Sequence, residues 1–270
     1  MLGLLGRLGG TCAIAAIAAS PAMATPVTFA QYFQQNGALQ QWSITTSGTT
    51  TTVKASGAVY FLFSGVSGLP FSGMQTATFS LSATSKSIGA CGVSCGAGDS
   101  LTQAGYTGTF SFIDTDSDPG ANLLSGTFAV TGSPSTTGAQ FSSHVGSSGA
   151  SFDASATAGN LSQLVFTSQF LAFLGETDET ASWSLSSLIP NFATGRVTAK
   201  QAYPAAGPFK AAGSGTFSSN PGPVPIPEPE TFALLGTGLL GLGFLTRKKS
   251  LADTMSSRAL HPRQNGAAVG

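Results

Sequence analysis

The sequence predicts an all-β fold: an antiparallel β-sandwich or jelly-roll-like domain, followed by a proline-rich linker and one short C-terminal transmembrane helix. Three features of residues 58–220 predict the β domain. Apolar and polar residues alternate in short segments, Gly, Ser, Pro and Thr separate these segments, and eight or more of them fit into about 160 residues. This spacing is typical of antiparallel sandwiches and jelly rolls.

The alternation also indicates which residues fill the core. In TATFSLSAT, Phe79 and Leu81 fall on one face, and serines and threonines fall on the other. Phe110 and Phe112 repeat the pattern in YTGTFSFID, and Trp183 does so in SWSLSS. Because successive side chains of a strand point to opposite faces, these apolar residues are predicted to face a core and the hydroxyls to face water.

One segment fits a helix as well as a strand. TPVTFAQYFQQNG, at residues 25–37, offers Thr28 as a helix N-cap and Asn36-Gly37 as a stop. The sequence leaves both structures open for this segment.

Residues 1–24 have the features of a secretory signal peptide. Arg7 provides a positive start, LGGTCAIAAIAAS is a short apolar stretch, and Ala22-Met23-Ala24 is a small-residue cleavage site. The mature chain is therefore predicted to begin at Thr25, with an extracytoplasmic β domain over residues 25–220.

The predicted exported body carries little charge. Only 8% of the whole chain is charged, and 11 Lys and Arg balance 11 Asp and Glu. Between Thr25 and Ile226 there are five cations and eight acids, a net charge of −3. Such a body has no field that attracts nucleic acid, so no nucleic-acid partner is predicted, and hydroxyl and amide groups must provide its solubility.

Two cysteines remain after export, since Cys12 leaves with the signal peptide. Cys91 and Cys95 are predicted to form a small disulfide in an oxidising compartment. Residues 92–96 also match the G-x-S-x-G pattern of hydrolases, which requires a strand-turn-helix elbow. Their surroundings are a Gly-rich loop, and His144 is the one histidine of the body, so the sequence predicts no catalytic residue and no enzyme.

Two acidic segments offer ligands for a hard cation. IDTDSDPG has carboxylates at spacing two, which predict either a calcium site or an acidic turn: Asp114, Asp116 and Asp118. An EF-hand is excluded because its sixth position, which needs Gly, holds Pro119. GETDET, at residues 175–180, contains either further ligands or a solvated loop. Apart from calcium, no cofactor is predicted.

A proline-rich linker and a short apolar run follow the β domain. Five prolines favour an extended spacer over residues 221–231. Residues 232–246 are predicted to form a transmembrane helix, although the 14 uncharged residues from Phe232 to Leu245 provide only ~21 Å of helix against a hydrocarbon core of ~30 Å. Such a marginal span suits a transient anchor in the inner membrane.

Cations end this run and predict its orientation: Arg247, Lys248 and Lys249. Since positive clusters stay on the cytoplasmic side, the β domain is predicted to lie outside, and residues 247–270 to form a basic cluster and cytoplasmic tail. A stripe of small residues at spacing four either lets another helix approach closely or reflects the ordinary glycine content of membrane helices: Ala233, Thr237 and Gly241.

Together, residues 224–249, VPIPEPETFALLGTGLLGLGFLTRKK, resemble the PEP-CTERM sorting signal of Gram-negative bacteria. They contain the triplet Pro227, Glu228 and Pro229, then the apolar run and the basic cluster. The resemblance implies recognition by an exosortase, a membrane transpeptidase that cuts near the triplet and releases or re-attaches the body at the cell surface. It also implies an association with exopolysaccharide and biofilm. Such signals end soon after the basic cluster, whereas this chain adds 21 residues.

The sequence therefore predicts a non-enzymatic exported protein of the cell surface or extracellular matrix. The alternative is a secreted carbohydrate-binding module that stacks sugar rings on aromatic side chains. Its candidate residues are Trp42, Tyr60, Tyr106 and Trp183, although scattered aromatic residues more often fill a hydrophobic core.

Overall fold

The computed structural model describes residues 26–37, 39–91, 95–129, 138–156, 164–196 and 204–226. Within these ranges the chain forms strands and turns, and no helix long and apolar enough to cross a membrane is found there. The all-β prediction is confirmed. The strands, which pair antiparallel, are β1 (Val27–Gln34), β2 (Trp42–Ser47), β3 (Thr50–Phe63), β4 (Gln75–Ser85), β5 (Ala90–Cys91), β6 (Ser100–Asp114), β7 (Asn122–Phe128), β8 (Ala139–His144), β9 (Ala150–Ala156), β10 (Leu164–Thr167), β11 (Leu171–Ala172), β12 (Asp178–Ile189), β13 (Thr194–Arg196), β14 (Pro204–Ala206), β15 (Phe209–Asn220) and β16 (Val224–Pro225).

The main sheet closes on itself and forms an eight-stranded antiparallel barrel. Each strand is hydrogen-bonded to the next in the order β1, β3, β4, β6, β8, β9, β12, β15 and back to β1. The predicted sandwich or jelly roll is therefore wrong, because the edges that two packed sheets leave open are joined here. Alternation identifies the inward face of each strand, but it does not determine whether the first and last strands meet.

Strands β1 and β2 make this closure one after the other, since each pairs with both β3 and β15. Ala30 pairs with Phe63 of β3 on one edge and with Phe217 of β15 on the other. The segment for which the sequence left helix and strand open is thus a strand over Val27–Gln34. An extended segment is required here, because only a strand presents its backbone N–H and C=O groups to neighbours on both edges.

Two long strands, β3 and β6, each pair with two shorter strands in succession. Strands β1 and β2 follow one another along β3, and β7 and β8 do so along β6. Between β1 and β2 the Gln41 side chain returns to the sheet, where its Nε2 donates to the Ala58 carbonyl at 2.9 Å. The segment between β1 and β2 therefore keeps a polar contact with β3 and does not interrupt the ring of paired strands.

Aromatic rings fill the barrel interior. The rings of Phe79 and Phe112 stack with their centroids 4.7 Å apart, and Phe61 lies 4.8 Å from Phe112. An eight-stranded barrel is about as wide as packed side chains can fill, so the interior is a core. The largest fully buried side chains are all aromatic: Trp42, Trp183, Tyr32, Tyr106, Phe29, Phe61, Phe79, Phe112, Phe128, Phe141, Phe152 and Phe192.

Glycines in β15 make room for the largest of these rings. A Cβ atom on Gly215 would lie 2.7 Å from Cε1 of Tyr32 and 2.9 Å from Cδ1 of Trp183. A Cβ atom on Gly213 would lie 2.9 Å from Cδ1 of Trp42. The β15 backbone is therefore packed directly against aromatic side chains.

Replacing Gly215 by Ala is expected to lower the free energy of unfolding by about 1–3 kcal/mol, because the new methyl group overlaps two buried rings in a close-packed interior. Denaturant titration followed by tryptophan fluorescence measures this change. Gly37→Ala is the matched control, since nothing lies within 4 Å of a Cβ atom there. Equal stability of the two variants would contradict the packing argument.

Candidate functional site

The chain leaves the barrel at one end, which we call the exit end. Loops 64–74, 115–121 and 168–177 and the segment 220–226 form it. Strand β16 pairs there with β11, and the Ile226 N–H donates to the Phe170 carbonyl at 2.9 Å. The first half of the predicted linker is thus bound to the barrel, and the chain is held up to one residue before the Pro-Glu-Pro triplet.

Several predicted features lie outside the described residues. These are the signal peptide at residues 1–24 and the sorting segment from residue 227 onward. The segment includes the triplet at 227–229, the predicted membrane helix at 232–246 and the cations at 247–249. The structure therefore describes the point from which the sorting segment departs.

The first acidic segment folds as a tight loop at the exit end. The Asp114 carboxylate is buried and accepts the backbone N–H groups of Asp116 and Asp118, both at 2.8 Å. Its oxygens organise the loop, and the other two aspartates are exposed. The sequence left a calcium site and an acidic turn open for this segment, and this geometry favours the acidic turn.

The second acidic segment lies at the same end and contains a buried carboxyl group, Glu179, which is only 5% exposed. Burial raises its pKa from 4.5 to about 7, although the Phe166 backbone N–H that it accepts lowers the pKa, and the nearby Glu176 carboxylate raises it further. The contact with Phe166 joins β12 to the edge of β10. Ser219, which pairs with Glu179 in the β12–β15 register, is also buried.

Neither acidic segment assembles a metal centre in the structure. Over the described ranges, no group of three or more His, Cys, Asp or Glu side chains is placed to hold a metal ion. The geometry therefore gives the predicted calcium site no support.

The cysteine pair and the histidine lie away from the exit end. Cys91 and Cys95 are joined in a disulfide with Cα atoms 5.3 Å apart. His144 is exposed at the end of β8, where it pairs with Ser100. The serine of the G-x-S-x-G pattern, at position 94, lies outside the described residues.

The aromatic residues proposed for sugar stacking do not form a surface site. Trp42, Tyr106 and Trp183 are each 0% exposed and pack within the barrel, so that part of the carbohydrate-binding prediction is wrong. Tyr60 is half-buried. Alternation places these residues on an apolar face, and closure of the barrel removes that face from solvent.

A row of hydroxyl groups on the outer wall was not predicted. It crosses β4, β6, β7 and β10 in register and consists of Ser80, Ser111, Ser125 and Thr167. The oxygens of the first two lie 2.9 Å apart, and those of the last two lie 2.7 Å apart. With Thr109, Thr127 and Val165, the row lines a groove of ≈ 280 Å³. Each segment shows the alternating hydroxyls in its sequence, but the register that aligns them is a tertiary property.

The raised pKa of Glu179 predicts a pH-dependent stability that Glu179→Gln should remove. As pH rises from 4.5 towards 7, the unfolded chain ionises first, so the wild type loses stability, and the loss is complete above about pH 7. The variant is then expected to be more stable than the wild type by about 1–2 kcal/mol at pH 8, after allowance for solvent screening at the end of the barrel. Denaturant titrations at pH 4 and pH 8 measure the difference. The same difference at both pH values would mean that packing, rather than charge, is responsible.

Comparison with known proteins identifies the segment that follows the barrel. Neither a curated protein nor a solved structure matches the chain. Residues 225–249 match the family model described as the PEP-CTERM protein-sorting motif, and this match confirms the resemblance noted in the sequence. The chain therefore carries, directly after its barrel, a PEP-CTERM sorting signal, which marks an exported protein with a C-terminal membrane-anchored signal of the kind that exosortases recognise.

Proposed function

We propose that this chain is a non-enzymatic barrel protein that an exosortase processes near Pro227-Glu228-Pro229 and delivers to the cell surface. There it takes part in an extracellular matrix that contains exopolysaccharide. The body is the cargo, and the segment from residue 227 to the basic cluster is a transient anchor in the inner membrane.

The observation that carries the proposal is the direct junction between the barrel and the sorting signal. The barrel's last described hydrogen bond is made by Ile226, and the matched motif begins at residue 225. Cleavage near the triplet would therefore remove the anchor and leave every described strand in the released body.

The outer wall supports a role in a hydrated matrix. A second row of serines faces away from the aromatic core. It crosses β15, β12, β9 and β8 in register and consists of Ser214, Ser184, Ser151 and Ser142. Hydroxyls of this kind hold water and exchange hydrogen bonds with sugar hydroxyls without adding charge.

A carbohydrate-binding role is the second candidate, and the groove between β4 and β10 favours it. Its hydroxyls offer donors and acceptors, and Val165, which is 43% exposed, offers an apolar contact. A glycan array read with the wild type and with Ser111→Val/Ser125→Val separates the two candidates. A matrix scaffold shows no discrete sugar preference, whereas a binding module shows one that the double variant loses.

Replacing Pro227, Glu228 and Pro229 by alanine is expected to block processing, because the triplet is the part of the motif next to the cleavage site. In the native host, the wild type should lose residues 247–270 and leave the membrane fraction. The triple variant should keep them and stay there. Mass spectrometry and cell fractionation give the readout.

Ser256→Ala/Ser257→Ala, in the tail beyond the basic cluster, is the control and should be processed like the wild type. Recovery of wild-type protein with an intact C-terminus from the cell surface would contradict the proposal.

A further inference from the structure

We propose that the exit end is a docking surface for a membrane protein that presents cationic groups around an apolar contact area, namely the exosortase that processes this chain. The inference rests on the proposed function and adds to it a recognition surface on the folded barrel, beyond the sorting signal itself.

Exposed apolar side chains surround the point where the chain leaves the barrel. We call this set the apolar rim: Val27, Met74, Leu174, Val224 and Ile226. Their exposed fractions run from 43% for Ile226 to 71% for Leu174. Next to the rim, the rings of Phe71 and Phe170 pack edge to face with their centroids 4.9 Å apart. Surface patches of this kind mark contact sites, and this one is supported by a packed aromatic layer.

The charges of the barrel are divided between its two ends. Within the described ranges, six of the eight acids lie at the exit end: Asp114, Asp116, Asp118, Glu176, Asp178 and Glu179. No Lys or Arg occurs in the four segments that form this end. Lys54 lies on the wall, and Lys86 and Lys210 lie towards the other end.

Covalent geometry brings this end close to the membrane. Six residue steps separate Ile226 from Phe232, the start of the predicted membrane helix, and at no more than ~3.6 Å per step they span at most about 22 Å. An enzyme that acts on residues 227–229 must therefore meet the rim of the barrel.

The acidic residues distinguish the two partners that can lie within this distance of the exit end, which are the lipid bilayer and a membrane protein. An anionic bilayer surface would repel the exposed carboxylates of Asp116 and Asp118, whereas a protein surface with cationic groups would attract them and contact the rim between them. The exit end therefore fits a cationic membrane protein better than it fits lipid.

Two variants of the full-length chain, expressed in the native host, test the acidic residues and the apolar rim separately. Asp116→Asn/Asp118→Asn removes exposed charge without changing shape, and Leu174→Ser removes the most exposed rim side chain. Each is expected to slow processing about 3- to 10-fold in a pulse-chase measurement, as loss of a complementary contact does. The matched controls are Ser82→Lys/Ser184→Lys, with the same charge change on the outer wall, and Ile189→Ser, which removes a side chain that is 62% exposed elsewhere. Both controls should match the wild type.

The outcomes are distinguishable. If the wild type itself is never cleaved, the proposed function fails. If the wild type is cleaved and both exit-end variants match their controls, the docking surface is overturned. If only Leu174→Ser slows processing, the rim meets lipid and the proposal is wrong. Added salt should also slow cleavage of the wild type in isolated membranes, and a salt-independent rate would exclude electrostatic docking whatever the variants do.

Discussion

The pairing of β1, and of β2 after it along the chain, with β3 on one edge and with β15 on the other is the constraint on which the rest of the structure depends. It joins the two ends of the sheet, so every strand of the ring has a hydrogen-bonded neighbour on both sides. Closure also determines the size of the interior. Aromatic rings fill that interior, and the glycines of β15 let the rings approach the backbone.

Closure separates two chemistries that the composition mixes. The inward faces take the largest aromatic side chains, and the outward faces carry serine and threonine in register across several strands. A protein with few charges thereby obtains both a dry core and a hydrated wall. The same separation explains why tryptophans that would suit sugar stacking on an open sheet are absent from the surface.

The two ends of the barrel differ in charge and in connection to the chain. Loops that lie far apart in the sequence meet at the exit end, and together they bring acids and exposed apolar groups around β16. Glu179 shows how tightly this end is built, because its carboxyl group accepts a backbone N–H from β10 and burial raises its pKa to about 7. The sorting signal thus follows a structured surface.

The sequence by itself determined the all-β character, since alternation is local and reports which face of each strand is buried. It also determined the sorting signal, because a triplet, an apolar run and a basic cluster are recognised by their order along the chain. Only the tertiary structure decided that the sheet closes, that Asp114 and Glu179 are buried at one end, and that Trp42, Tyr106 and Trp183 lie inside. Each of these depends on contacts between residues far apart in the chain, such as Ala30 with Phe217, and neither alternation nor composition records such contacts.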